Sequence, residues 1–209
     1  MVSRGCRKLV LTSRTGIKDN YQLVAVRRLR SSFKGIVRVV VSTADIATES
    51  GARQVILAAK ELGAVGGIFN LAMVLKDASL ENQTPTTFRD CCLSKVDGTI
   101  YLDQFSRVFC PNLEHFVCFS SVVSGRGNAG QTNYGFANAT MERICEQRKR
   151  NGLAGLAIQW GAVGDVGVVA ELLGGNDVVI GGTSVPQRIP SCLEVLDKFL
   201  LSSHAVVSR

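Results

Sequence analysis

Short apolar runs alternate with segments of helical spacing along most of the chain. Each run predicts a strand buried on both faces, as the strands of parallel sheets are. The runs occupy residues 8–12, 35–43, 65–72, 115–121 and 155–161. The segments between them repeat apolar residues every third or fourth position and predict helices. These helices occupy residues 18–30, 48–62, 84–108, 131–150 and 190–201, and a last strand begins at 205–208. This alternation predicts an α/β protein with a doubly wound parallel sheet.

Local signals set several of these boundaries. Ser31-Ser32 should end the first helix, Gly63 should close the second, and Thr84-Pro85 should open the third. A glycine-rich loop with a short helical piece follows the fifth strand. We find no internal repeat and no linker, and therefore predict a single domain over residues 1–209.

Composition places the chain among globular proteins and leaves two interpretations of its charge. A hydrophobic content of 46% with 20% charged residues excludes a disordered chain. The net charge of +7 is spread along the sequence, apart from basic runs at 27–30 and 148–150. Each run lies near the end of a predicted helix, where cations suit the helix dipole, so solvated helix ends explain them. The alternative is a docking face for an acidic partner or an anionic cofactor. We expect no nucleic-acid partner.

The cysteines and histidines carry no site of their own. Seven cysteines are scattered without a Cys-x-x-Cys pair or a framework spacing, which fits reduced thiols in a cytoplasmic protein. No run approaches the ~18 apolar residues of a membrane span, so we expect a soluble protein without membrane contact. His115 and His204 share no ligand-like spacing with a cysteine or a carboxylate, and we expect no metal site.

The segment from Phe119 to Asn138 carries the strongest chemical signal. Ser121 stands at the end of a predicted strand, Tyr134 follows thirteen residues later, and Asn138 comes four residues after the tyrosine. Residues at i and i+4 share one face of a helix, so Tyr134 and Asn138 can point into one cleft. The carboxyl ends of parallel strands border the same cleft, where open α/β sheets bind ligands. A tyrosine among hydroxyl and amide groups can hand a proton to a carbonyl oxygen, which indicates a reductase.

The ends of the first three predicted strands supply candidate cofactor contacts. Ser13 and Arg14 end the first strand, where a dinucleotide fold meets the adenosine ribose and an arginine suits a 2′-phosphate, although an ordinary surface arginine is an equal alternative. Asp45, with its neighbour Ile46, follows the second strand and can accept from the adenine amine, although an acid at a helix start is also ordinary. Asn70-Leu71-Ala72 ends the third strand, where small residues admit a ribose and a nicotinamide.

Gly125–Gly130 also matches the dinucleotide fingerprint GxGxxG between a strand and a helix. The fingerprint normally belongs to the first strand–helix turn and has an acidic partner at the end of the next strand. Here the next strand ends in Gln159-Trp160 without an acid. We interpret the match as a coincidence within a glycine-rich active-site loop, and Trp160 as a packing residue.

Together these residues resemble the short-chain dehydrogenase/reductase superfamily, and most closely the β-ketoacyl reductase domain of animal fatty acid synthase. The ketoreductases of polyketide synthases are the next nearest resemblance. The segments that carry it are LVLTSRTG (10–16), VGGIFNLA (65–72), LENQTP (80–85), KVDGTIYLD (95–103), FVCFSSVVSGRGNAGQTNYGFANATMERICE (116–146), LAIQWGAVGDVG (156–167) and PQRIPSCLEVLDKFL (186–200). Polyketide ketoreductases often carry Leu-Asp-Asp where this chain has Leu75-Lys76-Asp77, which favours the fatty acid synthase.

The resemblance implies a Rossmann-like fold of the short-chain dehydrogenase type and NADPH-dependent reduction of a carrier-bound 3-oxoacyl thioester. Most of the superfamily has lysine four residues after the tyrosine, whereas these ketoreductases have asparagine there and take the lysine from the preceding helix. Lys95 and Asn138 stand in those places. The implied roles are proton donation by Tyr134, orientation of the ketone oxygen by Ser121 and stabilisation of the phenolate by Lys95. The implied partners are a phosphopantetheine-bearing acyl carrier domain and other domains of a homodimeric, cytoplasmic synthase.

The resemblance also implies a segment that precedes residue 1. The family domain opens with a strand, a glycine-rich turn and a helix, and this chain matches none of them; at residues 205–208 it stops as the last strand begins. In the strand order 3-2-1-4-5-6 the absent strand would lie beside residues 8–12 and 65–72, leaving two apolar edges or a different pairing. We therefore expect an incomplete domain, inactive by itself. The alternative is a non-catalytic remnant that docks a carrier or another partner.

Overall fold

A computed structural model describes residues 1–165 and 185–209 of the chain. The helices, in chain order, are α1 (Asn20–Gly35), α2 (Glu49–Leu62), α3 (Pro85–Cys92), α4 (Gly98–Phe109), α5 (Val123–Arg126), α6 (Thr132–Arg150) and α7 (Ile189–Leu200). The strands are β1 (Lys8–Thr12), β2 (Arg38–Ser42), β3 (Gly67–Asn70), β4 (His115–Ser121), β5 (Leu156–Trp160) and β6 (Val206–Ser208). The loop with a short helical piece predicted after the fifth strand falls at 166–184, outside the described residues. These elements form two compact units, residues 1–66 with 97–113 and residues 67–96 with 114–209.

The first unit contains a small parallel sheet, three α-helices and a short 3-10 helix, Val2–Arg4. β1 pairs with β2 in the register Lys8↔Arg38 to Thr12↔Ser42. A cluster of buried valines, Val26, Val37 and Val39, packs α1 against this sheet. Helix α2 begins at the N-cap Thr48, whose hydroxyl accepts from the backbone N–H of Gly51, and packs against α4.

Helix α1 continues beyond the point where the sequence predicts its end. It runs to Gly35, whereas Ser31-Ser32 was expected to break it. Both serine hydroxyls donate to the backbone carbonyl of Arg28, at 3.1 Å from Ser31 and 2.7 Å from Ser32. Serine can bond back into the preceding helical turn in this way, so the two residues are accommodated inside the helix.

The second unit contains a four-stranded parallel sheet in the order β3-β4-β5-β6. Helix α6 packs against β4 and β5, and α3 packs against α6. Val117, Leu156, Ile158 and Trp160 form the buried cluster of the central strands. The indole of Trp160 lies between the rings of Phe119 and Phe199 and is 8% exposed, which confirms its predicted packing role.

A π-helix interrupts the long predicted helix at 84–108. It spans Leu93–Asp97, between α3 and α4. A π-turn inserts one residue relative to an α-helix and changes the direction in which the following side chains point. Lys95 lies in the middle of this turn and is only 2% exposed.

The strands are parallel and alternate with helices, which confirms the predicted α/β class. Among the described strands, β1 pairs only with β2 and β3 only with β4. Of the two expected arrangements the structure therefore shows unpaired edges. Leu11 and Val40 in the first unit are each more than a third exposed.

The basic run at the end of α6 is exposed only in part. Lys149 and Arg150 are exposed at the end of α6, but Arg148 is 2% exposed, so a solvated helix end is the wrong interpretation for this residue. Its Nε donates to the carbonyl of Ala154 and its guanidinium lies 4.0 Å from the ring centroid of Phe116.

No disulfide links cysteines within the described ranges. None of the described helices has the length and apolar character needed to cross a bilayer.

Candidate active site

The carboxyl end of β4 places Ser121 beside the start of helix α6. Ser121 is 8% exposed, and its Oγ accepts from the backbone N–H of Val123 at 3.2 Å. Tyr134 lies in the first turn of α6, where the side chains of Asn138 and Ser121 are close enough to its phenol to lower its pKa. The strand end and the first turn of the helix thus bring the predicted serine and tyrosine together.

The environment of Tyr134 makes its phenol a weaker acid than a free tyrosine. Burial raises the pKa of Tyr134, and the hydrogen bonds from Asn138 and Ser121 lower it only in part. Cys91 and Asp77, when ionised, also raise it. The phenol is therefore protonated at neutral pH, which is the state that a proton donor requires.

Lys95 supplies a cation next to this phenol. Its Nζ lies 5.3 Å from the ring centroid of Tyr134 and donates to the carbonyl of Phe119 at 2.9 Å. Burial lowers the pKa of Lys95 from 10.5 to about 8, while Cys118 and Cys91, when ionised, act in the opposite direction. Lys95 therefore keeps its charge at neutral pH but gives up a proton more readily than an exposed lysine.

Asn138 is buried one helical turn beyond Tyr134. It has no exposed surface, and its Nδ2 donates to the backbone carbonyl of Tyr134 at 2.8 Å. Its Oδ1 is a buried acceptor without a hydrogen-bond partner among the described residues. Such a group can accept from a water molecule or from an ammonium group.

Asn70 joins the end of β3 to the turn that carries Lys95. Its Nδ2 lies 3.4 Å from the carbonyl of Ser94, and its Oδ1 accepts from the backbone N–H of Ala72 at 3.0 Å. Asn70 is 3% exposed, whereas Leu71 beyond it is 58% exposed. The predicted segment 70–72 therefore changes from buried to open within one residue of the strand end.

The remaining candidate cofactor residues belong to the first unit. The hydroxyl of Ser13 donates to the carbonyl of Gly16 at 2.9 Å. Arg14 Nη1 lies 3.9 Å from Asp45 Oδ2, and the two side chains are 66% and 37% exposed. Asp45 Oδ1 accepts from the backbone N–H of Ala47 at 3.0 Å. Arg14, which makes only this long contact, can bind a phosphate. Asp45, which a backbone N–H holds in place, can accept a hydrogen bond from an amine.

Ile46 differs from the other candidates in this group. A Cβ added to Gly98 would lie 3.3 Å from the Ile46 side chain and 3.3 Å from its carbonyl oxygen, so the isoleucine packs closely against α4. Its contact with a cofactor remains a prediction.

Sequence reasoning missed a set of amides that connects two loops of the second unit. Asn133 Nδ2 donates to the carbonyl of Lys76 at 2.8 Å, and Gln83 Nε2 donates to the same carbonyl at 3.1 Å. Gln131 Nε2 donates to Asp77 Oδ2 at 2.7 Å. Gln131 and Asn133 lie just before Tyr134 in sequence, and that position was the one signal available for them; Gln83 had none. These hydrogen bonds hold the segment 76–83 beside the start of α6.

The described residues contain no cluster of three or more side chains able to hold a metal ion.

Similarity to known proteins identifies the family of this chain. A family model described as the KR domain matches residues 1–165, and the chain belongs to this family. The polyketide synthase-nonribosomal peptide synthetase TwmB of Talaromyces wortmannii is 37% identical over 183 residues, covering 87% of this chain and 6% of the synthetase. The hybrid PKS-NRPS synthetase lepA of Aspergillus flavus is 37% identical over 173 residues, covering 82% of this chain and 4% of that protein.

Solved structures show the same fold. An A-type ketoreductase from a modular polyketide synthase matches with a TM-score of 0.84 and 25% identity over 97% of this chain and 42% of its own. The first ketoreductase of the tylosin polyketide synthase matches with a TM-score of 0.79, 25% identity and the same coverage. The Rossmann-like short-chain dehydrogenase prediction is thereby confirmed for the fold. The chain spans less than a tenth of the length of the curated relatives TwmB and lepA.

Proposed function

We propose that this chain is the NADPH-dependent ketoreductase part of a polyketide synthase and reduces a carrier-bound 3-oxoacyl thioester to the 3-hydroxyacyl thioester. The observation that carries the proposal is the partly buried Tyr134 together with the buried Lys95, Ser121 and Asn138 near the carboxyl end of β4. These residues provide a protonated phenol, a cation that stabilises the phenolate and a hydroxyl that orients the substrate. These are the parts that reduction of a ketone requires.

The choice of a polyketide synthase differs from the fatty acid synthase that the sequence resemblance favours. The curated relatives TwmB and lepA are polyketide synthases joined to peptide synthetases, and the solved relatives described above are polyketide ketoreductases. The one sequence argument for a fatty acid synthase is Lys76 in the Leu75-Lys76-Asp77 segment. A match over most of the chain outweighs a difference at one residue, so the comparisons favour the polyketide alternative.

The residues of the chain divide the proton chemistry between them. NADPH, when bound, supplies a hydride to the β-carbon of the substrate, and negative charge develops on the ketone oxygen. Ser121 Oγ donates a hydrogen bond to this oxygen, and Tyr134 gives it the phenolic proton. Donors that are already in place where charge develops lower the barrier because they need no reorganisation during the reaction. Lys95 stabilises the resulting phenolate, and the free acceptor Asn138 Oδ1 orients the group that returns the proton.

The chain also contains groups that fit the cofactor. Arg14 is mostly exposed and makes only a long contact with Asp45, so its guanidinium can turn toward a 2′-phosphate, which selects NADPH over NADH. Asp45 retains a carboxylate oxygen for the adenine amine, and the small residue Ala72 follows Asn70 where the nicotinamide ribose approaches. We also assign cofactor contacts to Ser13 and Ile46 in the first unit and to Leu71 in the second.

The proposed partner is an acyl carrier domain whose phosphopantetheine arm holds the substrate. Each unit has exposed bases of the sign that an acidic carrier needs, Arg27 and Arg28 on α1 in the first unit and Lys149 and Arg150 on α6 in the second. Other synthase domains, in a homodimeric and cytoplasmic parent enzyme, complete the proposal.

The decisive experiment replaces Tyr134 by phenylalanine in the synthase polypeptide and follows NADPH oxidation with a carrier-bound 3-oxoacyl thioester. We expect kcat to fall by about 10²–10⁴-fold, because the variant lacks the general acid. Tyr21→Phe is the matched control, since Tyr21 is 77% exposed and lies in α1. An unchanged rate in Tyr134→Phe, or a wild-type synthase that leaves the ketone unreduced at this step, would overturn the proposal. A parallel assay of the 209-residue chain alone tests the expectation that it is inactive by itself.

A further inference from the structure

Glu142 is a buried acid that the proposed mechanism does not use. It lies on α6, one helical turn beyond Asn138 and two turns beyond Tyr134. It is 4% exposed, although glutamate is among the residues least often buried. A buried carboxylate is stable only when donors satisfy its oxygens, so the donors around Glu142 indicate what it does.

Three side chains have a donor atom within hydrogen-bond distance of a single oxygen of Glu142. Ser120 Oγ and Ser124 Oγ each lie 2.5 Å from Oε1, and Gln159 Nε2 lies 3.1 Å from it. These donors belong to β4, α5 and β5 in turn, whereas Glu142 itself belongs to α6. One carboxylate oxygen therefore holds three elements of the site against the helix that carries Tyr134.

The same hydrogen bonds lead directly to Ser121. Ser120 precedes it in β4, and Ser124 Oγ lies 2.7 Å from the carbonyl oxygen of Ser121. The single proton of Ser124 can go to Glu142 or to Ser121, while its oxygen accepts from Gln159 Nε2 at 3.0 Å. Ser121 is thus bracketed by two residues that Glu142 holds.

We propose that Glu142 is a positioning residue that fixes the Ser121 hydroxyl against the Tyr134 phenol by joining the end of β4 to helix α6. The inference rests on the proposed function for its catalytic consequence, but the geometric claim can be measured without the reaction. Removing the carboxylate leaves the Ser120, Ser124 and Gln159 donors without their common acceptor. The end of β4 then shifts, and a displacement of about 1 Å can reduce a rate on the order of a hundredfold.

A purely stabilising role for Glu142 makes a different prediction. The ammonium of Lys95 lies 5.3 Å from the Tyr134 ring. Burial and the charges of Cys91 and Asp77 raise the pKa of the phenol, whereas its interaction with Ser121 lowers that pKa. Movement of Ser121 therefore raises the pKa of Tyr134. A loss of stability alone lowers the melting temperature and leaves the titration of the folded protein unchanged.

The test compares Glu142→Leu with Glu142→Gln in the 209-residue chain. Leucine removes the acceptor at similar size, whereas glutamine retains an acceptor oxygen without the charge. Glu146→Leu is the matched control, because Glu146 lies one turn further along α6 and pairs at 2.7 Å with Arg143, whose side chain is 66% exposed. The chain has three tyrosines, so the ultraviolet titration of Tyr134 is obtained by subtracting the Tyr134→Phe curve.

We expect Glu142→Leu to move the Tyr134 titration to higher pH, with Glu142→Gln close to wild type and Glu146→Leu unchanged. In the synthase polypeptide, Glu142→Leu should lower kcat on the order of a hundredfold with the KM for NADPH unchanged, and Glu142→Gln should recover most of the loss. An unshifted phenol titration in folded Glu142→Leu, or equal effects of leucine and glutamine, would overturn the inference.

Two further results keep the inference separate from folding and from the proposed function. If Glu142→Leu does not fold, Ser124→Ala takes its place, since it removes the hydroxyl between Glu142 and Ser121 while the carboxylate remains satisfied by Ser120 and Gln159. An upward shift of the phenol titration supports the inference, and an unshifted titration overturns it. If the wild-type synthase does not reduce the ketone, the proposed function fails, yet the phenol titration still decides whether Glu142 positions Ser121.

Discussion

The two units of this chain hold their candidate residues in opposite ways. In the second unit Lys95 and Asn138 are almost fully buried. Each candidate residue there has a hydrogen-bond partner in or next to β4 or α6: Lys95 bonds to Phe119, Ser121 to Val123, and Asn138 to the backbone of Tyr134. In the first unit Arg14 is 66% exposed and its contact with Asp45 is 3.9 Å long. One set is enclosed by neighbouring atoms before any ligand binds, and the other leaves Arg14 exposed to solvent.

The difference follows from what each set is proposed to do. A proton donor needs a fixed position and a shifted pKa, and both come from burial and hydrogen bonding. A phosphate-binding arginine needs access and a side chain that can turn, so burial would be a disadvantage. The comparison predicts that substitutions in the second unit change kcat and pH dependence, whereas substitutions in the first unit change cofactor affinity.

Ser121→Ala should produce the largest effect among the following changes. Loss of the hydroxyl removes a fixed donor to the ketone oxygen, which should reduce kcat by about 10²–10³-fold with little change in the KM for NADPH. Steady-state kinetics of the synthase with a carrier-bound substrate measures both constants. Equal losses in kcat and in NADPH affinity would contradict the division between the units.

Much of the fold and part of this site could be predicted from sequence alone. The strands β1 to β5 lie within the predicted runs. Burial on both faces explains the continuous apolar segments of β4 and β5, whereas it was the wrong expectation for β1, most of which is exposed. Ser121, Tyr134 and Asn138 are recognisable because their relation depends on a strand end and on one helical turn. These signals are local, and the structure preserves them.

Residues whose setting depends on distant partners could not be found this way. Lys95 is an isolated lysine in a helical pattern, and only the family resemblance pointed to it, because the π-turn that buries it leaves no period in the sequence. Glu142 looks like a solvated helix acid, since its donors Ser120 and Gln159 come from two other elements. Arg148 was misread for the same reason.

Lys95→Met should produce the next largest effect and remove a pH dependence. A neighbouring charge shifts a pKa by ~1–3 units, and part of this is realised in the transition state, so kcat at neutral pH should fall by about tenfold to a hundredfold. The Lys95 ammonium is present below its pKa of about 8. Wild-type kcat should therefore fall as the pH rises through about 8, and the variant should lack this step.

The stability of the wild type, compared with that of Lys95→Met, should rise over the pH range in which the wild-type kcat falls. The pKa of Lys95 is about 8 in the folded chain against 10.5 for an ordinary lysine, so the folded state binds fewer protons between these values. The free energy of unfolding of the wild type should therefore rise with pH from about 8 to 10.5, relative to Lys95→Met. Urea unfolding across this range measures the difference. A parallel pH dependence in the two proteins would mean that Lys95 titrates like an exposed lysine.

Arg14→Ala should have the smallest effect on kcat and should mainly weaken the binding of NADPH. A hydrogen bond to a charged group is worth about 1.5–3 kcal/mol, so loss of one or two contacts to the 2′-phosphate should raise the KM for NADPH by about tenfold or more. NADH lacks that phosphate, and its KM should stay unchanged along with kcat. Arg143→Ala is the control, because Arg143 has the same 66% exposure but lies on α6 and pairs with Glu146. If Arg14→Ala instead lowered kcat with both cofactors, the first unit would contribute to the chemical step, and the contrast between a fixed catalytic set and a mobile binding set would fail.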